Sequence, residues 1–504
     1  MPALLDRLAA RRRAARARDH YSAFIEGVEP GLATRPRVHR FAAPPVVGDA
    51  GLRAEPIAVC VEPGGDAAAT RASLERQTVA PASVIEGSPA ELLDELRIER
   101  VLLVAAGDQL ASHALERLGQ AAALAPDAAM LTFDEDVLDA DGARRDPVIR
   151  PGPSPDALAE RDVVGGAFVV AREAVLAAGL EGDRRTLARA LAGADGAGHA
   201  HVPLILRHAA RSPARSAGVA ARPGLRGEPS VEVVVCFRDR PDLLRRSVSS
   251  LLDVTEWERL RVRLVDNGSE SPATARLVEE LARDERVVAT GDARPFNFGA
   301  LNNAAAGESD ADVLVFLNND TEVIEPGWLE ALLEHALRPE VGAVAPLLVR
   351  PDGRVQHAGA ALGLHGYAGH PFAGLPPDHA TPFGTAADGT RNWLAVTAAC
   401  LAIERAKFAT VGGFDEGFTV AGQDVDLGLR LTASGRRSLC VAHARVVHDE
   451  SASRDPQEIP EGDFARSRER YGAFRTAGDP FYSPALTLAA TDCALRSPAE
   501  AAAA

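Results

Sequence analysis

Residues Val313-Leu-Val-Phe-Leu317 form an unbroken apolar run that stops abruptly at Asn318-Asn319-Asp320. Half-buried strands alternate apolar and polar residues, so a continuous run suits a central parallel strand covered on both faces. In open α/β sheets the ligand sits beyond the carboxyl ends of such strands. Asp320, with Thr321 and Glu322 behind it, is placed to hold a divalent cation against a diphosphate. The same residues could serve only as caps for a helix starting near Pro326, so the rest of the chain has to decide.

At 504 residues the chain exceeds one hydrophobic core, and two or more domains are expected. A net charge of −16 argues against general nucleic-acid binding. Five scattered cysteines without CxxC spacing suit a reducing compartment, with no disulfide framework and no zinc site. No apolar run is long enough to cross a bilayer and no signal-peptide core follows the N-terminus, so a cytoplasmic protein is expected. Lys407 is the only lysine, and a P-loop is excluded because its lysine and glycines are both missing.

Residues 1–50 read as a basic helix and a tether. Arg7, Arg11, Arg12, Arg13, Arg16 and Arg18 surround a short stripe of Leu4, Leu5 and Leu8. Such a helix suits peripheral contact with an anionic inner membrane surface. The simpler reading is a solvated surface helix followed by a proline-containing tether, Pro30 to Pro45. Residues 491–504, ending in four alanines, read as a disordered tail.

Between these ends the chain repeats itself. Val101-Leu-Leu-Val-Ala-Ala-Gly-Asp108 lies over Val313-Leu-Val-Phe-Leu-Asn-Asn-Asp320, and each leads into a helical pattern and a short strand. Gly165-Gly-Ala-Phe-Val-Val-Ala-Arg172 likewise matches Ala398-Ala-Cys-Leu-Ala-Ile-Glu-Arg405, each leading to a glycine, Gly179 and Gly412. The preserved order predicts two tandem α/β domains with mainly parallel sheets, 51–215 and 228–490, divided where Ala, Arg, Pro and Gly replace periodic pattern.

The second copy carries the polar residues. Its first strand runs into Arg238-Asp-Arg-Pro241, a loop entering a helix N-terminus that suits phosphate approach. Its second strand ends in Asp266-Asn-Gly-Ser269, where a carboxylate can accept from a uracil or thymine imide, or simply form a turn. Asn297, Asn302 and Asn303 open a further helix. Gly422-Gln-Asp-Val-Asp426 places a carboxylate pair, Asp424 and Asp426, at another helix start, and His448 follows a late strand.

This ordered set resembles the family 2 glycosyltransferases of the GT-A fold. The segments carrying the resemblance are Val233–Asp239, Val265–Ser269, Asn297–Asn303, Leu317–Thr321, Val411–Glu416, Gln423–Arg430 and His448–Arg454. Gln356-His-Ala-Gly359, Gly369-His-Pro-Phe372 and Asp479-Pro-Phe-Tyr482 look like a bacterial tandem-domain branch linked to O-antigen, rhamnan and other cell-surface polysaccharides. The first copy resembles that branch's first domain, in degenerate form.

The resemblance implies roles residue by residue. Asp239 and Asp266 would contact the base and ribose of a nucleoside-diphosphate sugar, with Asn297, Asn302 and Asn318 nearby. Asp320 would bind Mg²⁺ or Mn²⁺, with His448 as a further metal or diphosphate contact. Asp424 would be the general base. Trp393, Arg391 and Asp426 would border the pocket of a glycan or lipid-linked glycan acceptor. The triplet begins with Asn318 in place of Asp, Gln423 stands where many relatives carry Glu, and Asp449 stands where some have a second His.

The chemistry agrees with these residue types. Transfer with inversion needs one base for the acceptor hydroxyl and charge neutralisation on the departing diphosphate, whereas a glycoside hydrolase needs two facing carboxylates. A sugar-nucleotide pyrophosphorylase is the alternative enzyme, but Arg238-Asp-Arg-Pro241 is not its Gly-rich, Lys- and Arg-bearing loop. A non-catalytic glycan-binding scaffold would have no use for Asp320, Asp424 and His448 together. Dehydrogenase chemistry is disfavoured, since no GxGxxG follows a strand.

Overall fold

In the computed structural model, Val313–Leu317 is an interior strand of a ten-stranded sheet and is buried along its whole length. Val313, Val315 and Leu317 pack with Trp328, Leu329 and Leu332 of helix Trp328–Ala336. Phe316 points to the other face, with its ring centroid 5.0 Å from that of Phe408 and 4.9 Å from that of Phe414. Both faces are covered, which is why the run shows no alternation.

The structure describes residues 2–87, 98–139, 141–178, 184–193, 196–211, 223–225, 227–384, 386–449 and 459–503, with the side chains of 2–14, 184 and 185 left aside. The parts of the motifs at 179–183 and 450–454 lie outside these residues. Two units are present. One comprises residues 1–220, 380–385 and 477–504; the other comprises 221–379 and 386–476.

Across the sheet of the second unit the strands run Val287–Gly291, Leu260–Asp266, Val231–Phe237, Val313–Leu317, Cys400–Glu404, Val341–Val349, Arg437–His448 and Thr321–Val323. The first four are mutually parallel. Cys400–Glu404 is antiparallel to both neighbours, so the sheet is mixed beyond Val313–Leu317. The chain enters that strand from an extended segment at 391–399 and not from a crossover helix, so the parallel rule does not bind it.

The first unit repeats this order: Ser83–Glu86, Ile57–Glu62, Arg100–Ala105, Ala167–Ala171, Met130–Leu138 and His199–Ala209, with Gln109–Leu110 paired to the last. Strand directions match pair by pair, including the antiparallel Ala167–Ala171.

The ends depart from expectation. Helix Pro2–Gly27 buries Tyr21 and Phe24, and the Tyr21 hydroxyl donates to Asp136 Oδ2 at 2.6 Å. Arg16 and Arg18 are exposed, while the side chains of Arg7 to Arg13 are outside the described residues. The tether contributes strands Arg37–Arg40 and Val46–Val47 to the sheet. The tail buries Cys493 and Leu495, and a reciprocal Ser497–Glu500 capping box starts helix Pro498–Ala502. Low sequence complexity hid this cap.

Lys407 is buried in the second unit. Its Nζ donates to the carbonyls of Ala336 and Arg338, both at 2.7 Å, and pairs with Glu404 at 2.9 Å. These carbonyls end helix Trp328–Ala336, so the cation satisfies groups that the helix cannot.

Candidate active site

A cavity of about 570 Å³ opens in the second unit at the carboxyl ends of its parallel strands. The tip of Val313–Leu317 supplies Asn318, Asn319 and Asp320 to its lining. Asp320 is buried, and its Oδ1 lies 3.3 Å from His448 Nε2. The backbone sets this pair: strand Thr321–Val323 lies antiparallel to the end of Arg437–His448, with Thr321 opposite His448. Asp449 N–H also donates to the Asp320 carbonyl.

Asp424 faces the same cavity from the first turn of helix Gln423–Ala433. Its Oδ2 accepts from Ala398 N–H at 3.3 Å and its Oδ1 from Val425 N–H at 2.8 Å. Gly422 caps this helix at φ 101°, and a Cβ there would meet the Phe418 ring and the Tyr471 hydroxyl. Gly428 lets the helix press against the strand segment behind it, since a Cβ would stand 2.4 Å from the Leu394 carbonyl.

The proposed nucleotide residues divide. Asn302 lines the cavity, although its Nδ2 is engaged with the Phe298 carbonyl. Asp239, Asp266 and Asn297 are not among the lining residues. Asp239 Oδ1 accepts from the amides of Glu270 and Ser271, and Asp266 Oδ1 from that of Ser269, so both carboxylates brace the loops beside the cavity. Asp239 and Arg240 both hold positive φ, near 51°, and that turn aims Arg238 and Arg240 at the cavity. Asn297 is the N-cap of helix Phe298–Glu308 and accepts from Ala300 N–H.

The three acceptor candidates do not reach the cavity. Arg391 and Trp393 lie in a strand paired with Arg437–His448 and are 2 % and 1 % exposed. The Arg391 guanidinium stacks over the rings of Phe372 and Trp393. Asp426 is buried facing Arg430, at 2.7 Å, and Arg470. Its i,i+4 spacing to Arg430 was the available signal for a structural role.

Sequence reasoning missed Asp463. This buried carboxylate accepts from three consecutive amides, Thr419, Val420 and Ala421, at 2.8–3.0 Å. It thereby fixes the loop leading into Asp424. Tyr471 also lines the cavity and donates to the Gly422 carbonyl at 3.1 Å. Burial, with Asp424, Asp426 and Asp463 nearby, raises its pKa and keeps the phenol neutral. Burial similarly pushes the Cys236 thiol up to about 12, so this cavity residue is no thiolate nucleophile.

A family model described as glycosyl transferase family 2 matches residues 232–376. The N-acetylglucosaminyl-diphospho-decaprenol L-rhamnosyltransferase of Mycobacterium tuberculosis is 32% identical over 249 residues, covering 44% of this chain and 78% of that relative. The chain belongs to glycosyl transferase family 2. The O-antigen biosynthesis protein RfbC of Myxococcus xanthus is 42% identical over 463 residues, 82% of this chain and 36% of its own length. The uncharacterized protein y4gI of Sinorhizobium fredii is 39% identical over 284 residues, 54% of this chain and 31% of its own length. The chain thus spans about a third of the length of these two relatives.

The first unit has counterparts of Asp320 and His448, differently engaged. Gln109, next after Asp108, stands opposite His208, just as Thr321, next after Asp320, stands opposite His448. Arg207 stands at the place of Val447. Its guanidinium holds Asp108 at 2.6 Å and also binds Glu135, which pairs with Arg150 as well. His208 is taken by Asp136 at 2.6 Å.

Proposed function

We propose that the second unit is an inverting, metal-dependent glycosyltransferase that moves a sugar from a nucleoside-diphosphate sugar to a glycan or lipid-linked glycan in cell-surface polysaccharide synthesis. The observation carrying this is one cavity holding Asp424, anchored at a helix start, together with the buried Asp320–His448 pair at strand ends. Asp424 takes the proton from the acceptor hydroxyl as that oxygen attacks the anomeric carbon and the bond to the diphosphate breaks. Arg238 and Arg240 supply positive charge on the nucleotide side. Asp239 and Asp266 hold the loops that shape that side.

Asp320 and His448 would hold Mg²⁺ or Mn²⁺. A carboxylate oxygen and an imidazole nitrogen are suitable donors, and the nitrogen that faces Asp320 Oδ1 is His448 Nε2, at 3.3 Å. No three His, Cys, Asp or Glu side chains converge there among the described residues, which fits a metal completed by substrate oxygens. When bound, the metal neutralises charge on the leaving diphosphate. The first unit, with Arg207 seated against Asp108 and Glu135, keeps the fold without the reaction.

No described helix is long and apolar enough to cross a membrane, and a cytoplasmic site of action, with peripheral membrane contact, is part of this proposal. The test is a thermal-shift screen with UDP-, dTDP- and GDP-sugars with and without Mn²⁺, since a ligand of the folded state raises the midpoint. One nucleotide series should stabilise the protein more in Mn²⁺. No stabilisation by any of them sinks the reading.

A further inference from the structure

Helix Glu461–Arg470 engages its arginines in two ways. Arg466 and Arg470 both bind Asp415, at 2.8–3.0 Å. Arg468 instead binds Tyr367, donating to the phenol oxygen at 2.7 Å and to Glu461 at 2.8 Å. Arg475, in the next helix Gly472–Ala477, reaches the same ring, so two guanidinium carbons lie 6.0 and 5.7 Å from the Tyr367 centroid. Arg475 is exposed, and its guanidinium makes no hydrogen bond or ion pair among the described residues.

A cation–π brace accounts for one arginine at that ring. Two arginines with one paired carboxylate leave positive charge unbalanced. That carboxylate, Glu461, is 81 % exposed, where water and salt weaken an ion pair. A guanidinium presents a planar fork of donors that matches phosphate oxygens, and two forks suit a ligand with more than one negative charge.

The cluster stands on the acceptor side of the cavity. Tyr367 lines the cavity, as do Phe464, Ser467 and Tyr471 along the helix, and the Tyr367 ring packs on Phe464 at 4.8 Å. The Tyr471 hydroxyl holds the Gly422 carbonyl, just before Asp424. Tyr367 follows strand Val355–His357 along the chain. Three strands, Val341–Val349, Cys400–Glu404 and Val313–Leu317, lie between that strand and Val231–Phe237, where the loop carrying Arg238 and Arg240 begins.

We propose that Arg468 and Arg475 bind the phosphates that join the acceptor sugar to its lipid, so that the acceptor is a lipid diphosphate sugar and not a free glycan. Its hydroxyl meets Asp424 inside the cavity while its anionic linkage rests at the rim. The proposal deepens the transferase reading above, on which it rests, and its test separates the two. Octyl glycosides of N-acetylglucosamine, rhamnose and galactose are compared by calorimetry with the same sugars carried on octyl diphosphate. UDP, dTDP or GDP with Mn²⁺ is present to fill the donor site. At least one diphosphate-linked sugar should bind about tenfold or more tighter than its plain glycoside, and no such preference in any pair overturns the proposal.

Arg475→Gln should reduce that preference, and Arg468→Gln with Arg475→Gln should bring it within about threefold. Arg475→Lys, which keeps the charge, should retain more of it than Arg475→Gln. Plain glycoside and nucleoside diphosphate affinities should be unchanged in all three, which also shows that they fold. A preference that survives in the double variant refutes the site. An octyl glucuronide that binds wild type as tightly as the diphosphate-linked sugar makes the anion a sugar carboxylate, and the proposal fails. It also fails if the two arginines govern sedimentation with phosphatidylglycerol vesicles but not the diphosphate preference, since the ligand is then a membrane headgroup. If no nucleoside diphosphate binds the wild type, the transferase reading fails, and the same titrations without nucleotide still decide whether these arginines hold a diphosphate.

Discussion

Removing the Asp463 carboxylate should slow sugar transfer far more than it weakens donor binding. Three amides, those of Thr419, Val420 and Ala421, converge on this buried side chain. A hydrogen bond to a charged acceptor contributes about 1.5–3 kcal/mol, so three set a ceiling near 5–9 kcal/mol. The loop can turn outward and rehydrate its amides in Asp463→Ala, so about 3 kcal/mol is the expected loss. For a unit of this size that lowers its melting midpoint by about 6–12 °C. The loop continues through Gly422 into Asp424, and misplacing a catalytic group by about 1 Å costs on the order of 10²-fold in rate. Calorimetry gives the midpoint, turnover of the nucleotide-sugar found by the donor screen gives the rate, and Asp463→Asn should fall between wild type and Asp463→Ala. A midpoint within about 2 °C of wild type, with a rate within about twofold, would mean that the loop is held by something else.

Asp424→Asn should cut transfer on the order of 10²–10⁴-fold with donor affinity nearly intact; retention of more than about a tenth of the rate makes another group the base. Asp320→Ala should weaken nucleoside diphosphate binding in Mn²⁺ and much less in EDTA, measured by calorimetry, and an unchanged metal dependence removes Asp320 from the site. Asp108→Ala should lower stability by on the order of 3 kcal/mol in denaturant titrations, because Arg207 loses a buried partner, and should remove no separate transferase activity; loss of one would make the first unit an enzyme. Burial, with His201 and Arg150 nearby, holds His199 down at about 3, against about 6.5 unfolded. Between these values the unfolded chain binds a proton that the folded one does not, so this contribution is full above pH 6.5 and lost as pH falls. The loss from pH 7 to 5.5 is about 1 kcal/mol, and a His199→Gln variant that loses stability just as steeply would refute the assignment.

What the sequence made legible was the part set by short-range pattern. Val313–Leu317 with its Asn-Asn-Asp tip, and Asp424 just after a helix-capping glycine, could be placed because strand burial and helix starts leave local signatures. The missed residues depend on partners far along the chain. Asp463 caps amides some forty positions earlier, so its charge alone looked like one more surface acid of helix Glu461–Arg470. Arg391 and Trp393 resemble pocket residues by type, but strand pairing with Arg437–His448 turns them into the interior. Asp239 and Asp266 were placed correctly at strand ends, yet their oxygens are already claimed, Asp266 by the amide three positions beyond it and Asp239 by two amides across the loop.

The seating of Lys407 gives the chain an unusual chemical surface. Every other cationic side chain that is permanently charged is an arginine, so the exterior carries its positive charge without a single reactive ε-amine. Acylating reagents and amine-coupled sensor chips would find no lysine to attack in the folded state. A lysine-specific protease has one peptide bond to cut, after residue 407, inside the short helix Arg405–Thr410. Cleavage there yields two pieces and no others, and its rate reports how often the helix-capping contacts of the second unit come apart.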